Sequence, residues 1–359
     1  MSAAPPRLVP AGVLRAAVAA AFESGGLTPA DSDQVAEVLV DADLRGVESH
    51  GVQRAPIYLQ RLRAGLAAGS DAIGEAQRLG AAVRLDAGHA LGPLAGVRAT
   101  DMACDLAGEY AVGLVAVGGS THFGHAGYYA RRAAARGFAA IVCSNGPGNM
   151  APHGSSERFV GTNPLAIGIP LEGRPEFVLD MSSAAAARGK IIRARDAGAA
   201  IPEGVALDRD GRPTTDAGKA LEGSVLPFAG AKGSGLALAI DLLAGLAAGA
   251  DFDHQAAAMY ADFDRPQNLG QLFVCIDLAA LNPSREPDPG AMVDRLHALR
   301  PSEAGSPVRY PGEGSQALFA ERSRDGVPVG AAVLRSLAAE AVGEAGASLR
   351  RLADEIEAP

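Results

Sequence analysis

The first stretch of the chain has the apolar spacing of amphipathic helices. Residues 28–31 read TPAD, an order that favours the first turn of a helix. Apolar side chains then recur on one helical face, at Val35, Val38, Leu39 and Ala42. Gly46 ends this helix, a loop follows at residues 48–51, and a further helix carries Tyr58. We therefore expect helices over most of residues 8–65.

The pattern changes near residue 80, where short apolar runs typical of strands begin. These runs are AAVRLDAG, VGLVAVGG, FAAIVCSN, LAIGIP and FVLDMSS, with helical stretches between some of them near residues 93–109 and 126–136. Residues 193–226 are rich in Gly, Pro and Asp, which predicts loops. The remaining elements are expected as a long apolar helix over 232–248, a buried strand over 271–278, and helices near 289–299 and 328–354.

This order of elements predicts an α+β fold. Helices come first, mixed α and β elements follow, and helices close the chain. Such an order fits a chain whose two ends pack together better than it fits a doubly wound sheet.

Composition narrows the classes of partner. The 359 residues are 48% apolar and carry a formal net charge of −9. We therefore expect a folded core and neither nucleic acid nor an anionic membrane as a partner, since both require clustered Lys and Arg. The N-terminal segment MSAAPPRLVP is not an apolar signal. Three distant cysteines, Cys104, Cys143 and Cys275, form no CxxC motif, which favours buried thiols and a cytoplasmic location.

Several common ligand signatures are missing from the sequence. No G-x-G-x-x-G follows a strand-like run, no phosphate loop ends in Gly-Lys-Ser or Gly-Lys-Thr, and no H-E-x-x-H occurs. His122 and His125 are three residues apart, but no nearby carboxylate or cysteine completes a metal site. We predict no metal.

The first candidate cluster lies at residues 43–54, DLRGVESHGVQR. It places His50 in a glycine-flanked loop, beside Ser49 and near Arg45 and Arg54. An imidazole titrates near neutral pH and can donate or accept a proton, and a guanidinium can bind a carboxylate through two hydrogen bonds. The alternative is a histidine that caps a helix end, with solvated arginines.

The second cluster, GGSTHFGHAG, spans residues 118–127 and follows a strand-like run. His122 is therefore expected at the carboxyl end of a strand. Small residues there allow a ligand to approach the backbone, and free N–H groups at the start of the next helix suit phosphate. The alternative is an ordinary turn between a strand and a helix.

The third cluster joins GTNP at residues 161–164 with DMSS at 180–183 and Gly189-Lys190. Asp180 closes a strand, where a carboxylate can bind ribose hydroxyls or simply cap the next element.

The fourth cluster joins GAKGSG at residues 230–235 with PGEG at 311–314. Lys232 at a helix start makes an anion site through its charge and the helix dipole. The alternative is a solvated lysine in a flexible turn.

Together these clusters resemble the malate/L-lactate dehydrogenase family that is unrelated to the Rossmann-type lactate dehydrogenases. That family includes ureidoglycolate, sulfolactate and diketogulonate dehydrogenases and the Δ1-piperideine-2-carboxylate/Δ1-pyrroline-2-carboxylate reductases. The motifs that carry the resemblance follow in order from RGVESHG through STHFGHAGYYA, GTNPLAIGIP, FVLDMSS and AKGSGLALAIDLL to PGE. Two positions depart from the usual pattern, with Ser182-Ser183-Ala184 after the Asp-Met pair and Ala231, where an aromatic is common, before the lysine.

The resemblance implies a non-Rossmann NAD(P)-binding fold, in which the terminal segments form a helical domain around a central mixed or antiparallel sheet. It predicts a helical region at 1–75 that carries the SHG loop, a central cofactor domain at 76–260, and a C-terminal region at 261–359 that packs on the helical domain. Members are typically homodimers, so a second copy is the expected partner.

Residue roles follow from the same resemblance. His50 is the expected proton donor, with Ser49 and Asp196 as relay partners, and His122 is the alternative acid or base. From the chemistry of the first cluster, and not from the resemblance, we expect Arg54, in preference to Arg45, to hold the substrate carboxylate. Thr162 is a further expected substrate contact.

The cofactor is expected to be NADPH or NADH. Its predicted contacts are His122, Phe123, Gly124, His125, Ala126, Asp180, Met181, Ser182, Lys232, Gly312, Glu313 and Gly314. A 2′-phosphate needs a local cation, and Arg188, Lys190, Arg193 and Arg195 follow Asp180, which favours NADPH slightly.

The predicted reaction is hydride transfer to C2 of a small 2-oxo acid, which gives a 2-hydroxy acid. One alternative is the reduction of cyclic 2-imino acids to L-pipecolate or L-proline. A second alternative is a family member that binds ligand without catalysis.

Overall fold

A computed structural model describes residues 7–284, 286, 288–302 and 305–358. In the N-terminal half, the elements are α1 (Ala11–Ser24), α2 (Pro29–Leu44), α3 (Ala55–Arg63), β1 (Gly74–Leu79), β2 (Ala82–Asp86), α4 (Gly92–Tyr110), β3 (Val112–Ser120), α5 (Ala126–Ala135), β4 (Ala139–Ser144), β5 (Pro164–Ile169) and β6 (Phe177–Ser182). Further along, they are α6 (Arg188–Asp196), β7 (Ala206–Leu207), α7 (Ala217–Glu222), β8 (Ser224–Val225), α8 (Ala231–Ala248), β9 (Leu269–Ile276), α9 (Leu278–Leu281), α10 (Pro289–His297), α11 (Glu313–Asp325), α12 (Ala331–Glu340) and α13 (Glu344–Glu357).

Helix α2 begins where its sequence predicts. The Thr28 side chain accepts a hydrogen bond from the Asp31 backbone N–H at 3.2 Å, and Pro29 occupies the first turn. The helix ends at Leu44, just before Gly46 in a left-handed conformation. These two ends fix where the following loop, residues 47–54, leaves the helical layer.

A seven-stranded sheet forms the centre of the molecule, in the order β1-β2-β3-β9-β4-β5-β6. Strands β2 and β3 pair in parallel, and the other neighbouring pairs are antiparallel. A mostly antiparallel sheet surrounded by helices confirms the expected α+β class. It also explains why the glycine fingerprint of doubly wound sheets is missing.

Helices cover the two faces of the sheet unequally. Helices α4 and α5 pack on one face and α8 on the other. Close approach depends on glycine, because a Cβ at Gly168 would lie 2.3 Å from the Ala130 carbonyl of α5. On the opposite face, a Cβ at Gly118 would lie 2.3 Å from the Ala248 carbonyl of α8.

The two ends of the chain meet, as the order of elements predicts. Helices α12 and α13 pack against α1, and Val9 pairs with Val327 in a short antiparallel bridge. Strand β9, however, lies in the middle of the sheet between β3 and β4. The boundary predicted after residue 260 therefore separates this strand from the sheet to which it belongs, and the division into three regions stays a prediction.

Two local expectations need correction, and one helix was not predicted. Residues 193–226 are not all loop, since the end of α6, the helix α7 and the short strands β7 and β8 lie there. The helix expected over 328–354 is two helices, which separate at Gly343 in a left-handed conformation. Helix α11 was not predicted, because its sequence is polar and none of its residues is fully buried.

Among the described helices, α8 is long and apolar enough to cross a membrane by length and composition alone. A core helix passes the same test, and α8 packs on β9 and β3 and carries the buried Asp241. The helix by itself therefore does not indicate a membrane span.

Candidate active site

The SHG loop is held in shape by Asp43, a buried residue near the end of α2. The Asp43 carboxylate accepts a hydrogen bond from the Val52 N–H at 2.8 Å. It also fills the space beside Gly51, where a Cβ would lie 2.1 Å from its Oδ1. Burial raises the pKa of Asp43 to about 7, and the nearby Glu48 charge adds to that effect. The loop is therefore built around a carboxyl group with little access to water.

Two histidines from distant parts of the chain meet at the carboxyl end of β3. The His50 and His122 rings stack with centroids 5.4 Å apart and planes inclined by 23°. Ser49 Oγ lies 2.8 Å from Nδ1 of His50. The structure thus brings together Ser49, His50 and His122, which the sequence placed in separate clusters.

Hydrogen bonds define the protonation of His122. Its Nδ1 accepts from the Gly124 backbone N–H at 3.3 Å, and an amide can only donate. Nδ1 is therefore unprotonated, so the Tyr58 hydroxyl, 2.5 Å from the same atom, also donates to it. The ring proton of neutral His122 must then lie on Nε2, which is a hydrogen-bond donor.

Both imidazoles are neutral near neutral pH. Burial lowers the pKa of His50 to about 3, and the nearby positive charge of Arg54 lowers it further. Burial also holds the pKa of His122 well below its usual value, with additional contributions from Arg54 and His50. A neutral His50 is ready to accept a proton, whereas donating one requires a change in its surroundings.

The two candidate arginines have different positions. Arg54 donates through Nε to the Ser49 carbonyl at 2.8 Å and through Nη1 to the Tyr260 hydroxyl at 2.6 Å. Arg45 instead bonds Asp41 at 2.9 Å and Gln316 at 2.9 Å. Arg54 therefore borders the histidine pair, and the guanidinium of Arg45 is already engaged elsewhere.

Asp180 lies at the end of β6, against the first turn of α5. Its Oδ2 accepts from the Gly127 N–H at 3.0 Å and lies 3.6 Å from Nδ1 of His125. Burial raises the pKa of Asp180, but His125, Gly127 and Arg131 outweigh that effect and hold it below its usual value. The carboxylate is therefore charged, and 25% of its side chain is exposed to solvent.

Asp41 and Arg131 form a buried ion pair that contacts Nε2 of His125, the ring nitrogen that does not face Asp180. Asp41 Oδ2 lies 3.1 Å from Nε2 of His125 and 3.0 Å from the Arg131 guanidinium. Burial raises the pKa of Asp41, but His125, Arg131 and Arg45 together hold it well below its usual range. The network fixes the orientation of the imidazole beside Asp180.

The remaining predicted cofactor contacts lie on the surrounding elements. Phe123 and Ala126 are buried, and Ala126 is the first residue of α5. Met181 continues β6, and Ser182 donates to the Thr162 carbonyl at 3.0 Å. Lys232 is exposed in the first turn of α8.

The predicted glycine turn at residues 312–314 lies against β6. The Val178 N–H donates to the Pro311 carbonyl at 2.9 Å, two residues before Asp180. Gly312 has a φ of 105°, and a Cβ there would lie 2.9 Å from the Val178 nitrogen. Glu313 turns back and accepts from the Tyr310 N–H at 2.9 Å. The turn thus adds a further wall beside Asp180.

These surroundings fit a nicotinamide dinucleotide. The Asp180 carboxylate already bonds the first-turn Gly127 N–H of α5 through Oδ2; its Oδ1 has no partner among the described residues and can accept from the ribose hydroxyls of a nucleotide. In the described part of the chain, the buried Ser183 Oγ and Asn163 Oδ1 also lack hydrogen-bond partners. Such groups are costly unless a ligand or water satisfies them. No set of three His, Cys, Asp or Glu side chains among the described residues could hold a metal ion.

One predicted relay partner lies elsewhere. Asp196 is exposed at the end of α6 and accepts from Arg195 at 2.7 Å. Within the described residues, no hydrogen bond or ion pair joins it to Ser49 or His50. Helix α6 does approach the loop, since a Cβ at Gly189 would lie 2.8 Å from that of Ser49, but the aspartate lies at the far end of the helix.

Sequence reasoning missed four residues that contact the predicted ones. Tyr58 was assigned only to a helix, although it lies four residues after Arg54 and hence on the same helical face. Asp41, Gln267 and Tyr260 contact His125, the His122 backbone and Arg54, respectively. No local pattern distinguishes the last two, because both lie in an irregular loop.

Comparisons with known proteins identify the family of the chain. The profile of the malate/L-lactate dehydrogenase family matches residues 9–338. The (2R)-3-sulfolactate dehydrogenase (NADP(+)) of Chromohalobacter salexigens is 37% identical over 324 residues, which cover 90% of this chain and 95% of that protein. The ureidoglycolate dehydrogenase (NAD(+)) of Escherichia coli is 32% identical over 307 residues, which cover 85% of this chain and 87% of that protein.

A solved structure shows the same fold. The crystal structure of a dehydrogenase from Sinorhizobium meliloti superposes with a TM-score of 0.87 at 34% identity, and the match covers 94% of this chain and 98% of that one. A family profile that spans most of the chain, together with relatives above 30% identity, leaves one conclusion. The chain belongs to the malate/L-lactate dehydrogenase family of NAD(P)-dependent oxidoreductases.

Proposed function

We propose that the chain interconverts a small 2-hydroxy acid and the corresponding 2-oxo acid, with NAD(P) as the hydride partner. The observation that carries this proposal is the stacked pair His50 and His122, 5.4 Å apart, beside the guanidinium of Arg54. The pair can handle a proton and polarise an oxygen at C2, while Arg54 can bind the carboxylate at C1.

The two histidines have different roles in this proposal. The Nε2–H of His122 donates a hydrogen bond to the substrate oxygen, because Tyr58 and Gly124 keep its Nδ1 as an acceptor. His50 exchanges the proton of that oxygen with solvent, and Ser49 orients its ring. The bound cofactor supplies the hydride acceptor or donor for C2. Asp180 and the start of α5 are the proposed cofactor contacts.

The charge state of His50 favours oxidation of the hydroxy acid in the free enzyme. Its pKa of about 3 leaves the ring neutral, so it can accept the hydroxyl proton. Reduction requires a protonated ring. A substrate carboxylate that neutralises Arg54 removes one cause of the low pKa of His50, so substrate binding itself promotes the acid form.

Turnover of a substrate panel tests the proposal. Malate, lactate, 3-sulfolactate and ureidoglycolate are offered with NAD⁺ and NADP⁺, and absorbance at 340 nm is followed. The expected result is reduction of the cofactor by at least one hydroxy acid. Δ1-Piperideine-2-carboxylate is offered separately with NADH and NADPH, in the direction of reduction. If it is the single compound turned over, the protein is an imine reductase instead. Nucleotide binding without turnover of any compound identifies a binding protein.

We further propose a modest preference for NADPH, which depends on two of the four cations that follow Asp180 in the sequence. Arg195 pairs with Asp196, and Arg193 lies 3.5 Å from Glu48. Arg188 and Lys190 have no carboxylate partner among the described residues, so they are the remaining candidates for a 2′-phosphate. Fluorescence titration with NADPH and NADH should show that Lys190→Ala weakens binding of NADPH alone.

We also propose that the chain forms a homodimer through the α8 face of the sheet. That face is incompletely covered, since Ile141 of β4 is 40% exposed and Leu243 and Leu246 of α8 are 57% and 68% exposed. Exposed apolar side chains of this kind suit a second copy in a two-fold arrangement. Light scattering should give a dimer for the parent protein and a monomer for Leu243→Glu/Leu246→Glu.

A further inference from the structure

Arg61 is the largest fully buried side chain among the described residues, with 1% of its surface exposed. It lies on α3, one turn after Tyr58. Its Nη1 donates to the carbonyls of Met259 and Asp262 at 3.1 and 2.8 Å, and its Nη2 donates to the Arg265 carbonyl at 3.1 Å. One guanidinium thus bonds three carbonyls of the long loop between α8 and β9.

This arrangement is costly for a group that serves packing alone. The Nε of Arg61 is buried and has no hydrogen-bond partner in the described structure. Burial lowers the pKa of Arg61, although the Asp262 charge partly opposes this. An apolar side chain of similar volume avoids these penalties. The contacts of Arg61 therefore point to a requirement for a defined loop conformation.

The same loop contacts the active site at two places. The Tyr260 hydroxyl accepts from Nη1 of Arg54 at 2.6 Å. The buried Gln267 accepts from the backbone N–H of His122 at 3.2 Å through its Oε1. Arg61 holds the segment from Met259 to Arg265, and Tyr260 lies within that segment.

The Tyr260 hydroxyl has an unused donor. Because the hydroxyl oxygen accepts from Arg54, its own hydrogen points elsewhere. Tyr260 is 59% exposed, so a ligand can reach this hydroxyl. Arg54 donates through Nε to the Ser49 carbonyl and through Nη1 to the Tyr260 hydroxyl, which leaves Nη2 for a ligand. A carboxylate at Arg54 can therefore accept one hydrogen bond from Nη2 and a second from Tyr260.

We propose that Tyr260 contacts the carboxylate of the substrate and contributes to specificity, and that Arg61 is a positioning residue that holds Tyr260 at Arg54. This inference rests on the proposed function, in which Arg54 binds the substrate carboxylate. Arg61 does not touch the substrate and acts through the loop.

The test begins with Tyr260→Phe, a change at an exposed side chain that removes one hydroxyl. KM for the best hydroxy acid should rise about tenfold, because a hydrogen bond to a charged group is lost. The turnover number should stay within about twofold and nucleotide affinity should not change. An unchanged KM overturns the role of Tyr260.

Arg61→Lys tests positioning, and Arg63→Lys on the outer side of α3 is the matched control, since Arg63 pairs with Glu340 at 3.1 Å. Arg61→Lys should lower kcat/KM in the parent and have little further effect in the Tyr260→Phe background, because residues that act through one another are not additive. Fully additive losses overturn the positioning role. Hydrogen exchange in peptides covering residues 256–266 should be faster in Arg61→Lys than in the parent, and unchanged in the control Arg63→Lys. Equal exchange rates in Arg61→Lys and Arg63→Lys also overturn the positioning role of Arg61.

A binding measurement separates this inference from the proposed function. Oxamate, an unreactive 2-oxo acid analogue, is titrated calorimetrically into the parent and Tyr260→Phe proteins in the presence of nucleotide. Weaker binding to Tyr260→Phe supports the contact even if no hydroxy acid is turned over, an outcome that contradicts only the proposed function. Equal binding by both proteins overturns the contact whether or not turnover is found.

Discussion

The Tyr58 hydroxyl and Nδ1 of His122 lie 2.5 Å apart, in a hydrogen bond whose direction is set by a third group. The Gly124 N–H donates to the same nitrogen, so the imidazole cannot carry a proton there. Burial raises the pKa of Tyr58, which keeps the phenol protonated and able to donate. Tyr58 thereby helps to keep the ring proton of neutral His122 on Nε2.

Replacing Tyr58 with phenylalanine tests this relationship. Without the phenol, Nδ1 of His122 retains only the 3.3 Å bond from the Gly124 N–H, so the ring is held less firmly and its Nε2 donor is directed less well. We expect kcat to fall about tenfold, in line with the loss of one hydrogen bond to a group that is polarised during the reaction, while nucleotide affinity is unchanged. Steady-state kinetics and fluorescence titration provide the two measurements.

Tyr110→Phe is the matched control, because Tyr110 ends α4 and is 48% exposed. It should behave as the parent protein in both assays. If Tyr58→Phe also turns over at the parental rate, the hydrogen bond has no role in orienting His122.

The low pKa of His50 leads to a second prediction. Burial is its main cause and the Arg54 charge the next. Arg54→Met removes that charge, so the pKa of His50 should rise from about 3 toward its ordinary value, while His50 remains mostly neutral at pH 7. Titration of the His50 ring signals by NMR measures the shift without requiring turnover.

The corresponding effect on kinetics has a defined direction. In the parent, oxidation of a hydroxy acid needs neutral His50. Protonation of this base should therefore lower kcat/KM only as pH approaches 3. In Arg54→Met the acidic limb should move to higher pH, along with a large increase in KM. A His50 pKa that is equal in the two proteins contradicts the assigned electrostatic cause.

The elements that the sequence predicts best are those with local causes. The cap at Thr28, the proline at 29 and the left-handed Gly46 define α2 without reference to any distant residue. The SHG loop follows directly from where that helix ends. The β runs were also recognisable, because their apolar residues form rows buried on the α4 and α5 face.

The residues that sequence reasoning missed depend on long-range contacts. Tyr260 meets Arg54 across 206 positions, and Gln267 meets His122 across 145. Neither lies in a periodic element, so the pattern of the chain contains no signal for them. The expected contact of Asp196 depended on the same kind of long-range placement: Gly189 lies near Ser49 at the start of the nine-residue helix α6, and Asp196 lies at its end.

Asp180 provides a third prediction, at the proposed cofactor site. Its carboxylate accepts from Gly127 at 3.0 Å and carries a negative charge beside His125. Asp180→Asn keeps an acceptor for Gly127 and removes the charge. We expect NAD(P)H affinity to fall about tenfold or more, because charge-assisted bonds are roughly twice as strong as neutral ones. Fluorescence titration measures the affinity.

The control for this change is Asp101→Asn, since Asp101 pairs with Arg132 at 2.8 Å on the α4 side of α5. That variant should bind nucleotide as the parent does. Equal affinity in all three proteins places the cofactor away from Asp180 and requires a different site.

The final prediction concerns Asp43 and the pH dependence of stability. Its pKa is raised from 3.8 to about 7 in the folded protein, mainly by burial. Between these values the folded chain binds a proton that the unfolded chain has released, so the free energy of unfolding falls as pH rises through this window. Asp43→Asn has no such proton, and its amide oxygen can still accept from Val52.

Urea denaturation of both proteins at pH 5, 6, 7 and 8 therefore gives a difference with a known sign. Relative to Asp43→Asn, the parent should lose about 2–3 kcal/mol between pH 5 and 8, at about 1.4 kcal/mol for each pH unit below the folded pKa. Most of the loss should occur below pH 7, because above that pH the carboxyl is ionised in both the folded and the unfolded state. Parallel curves for the two proteins would mean that Asp43 is already ionised at pH 5 in the folded state. The SHG loop would in that case surround a charge, and the Val52 N–H and the nearby Arg322 would be what stabilises it.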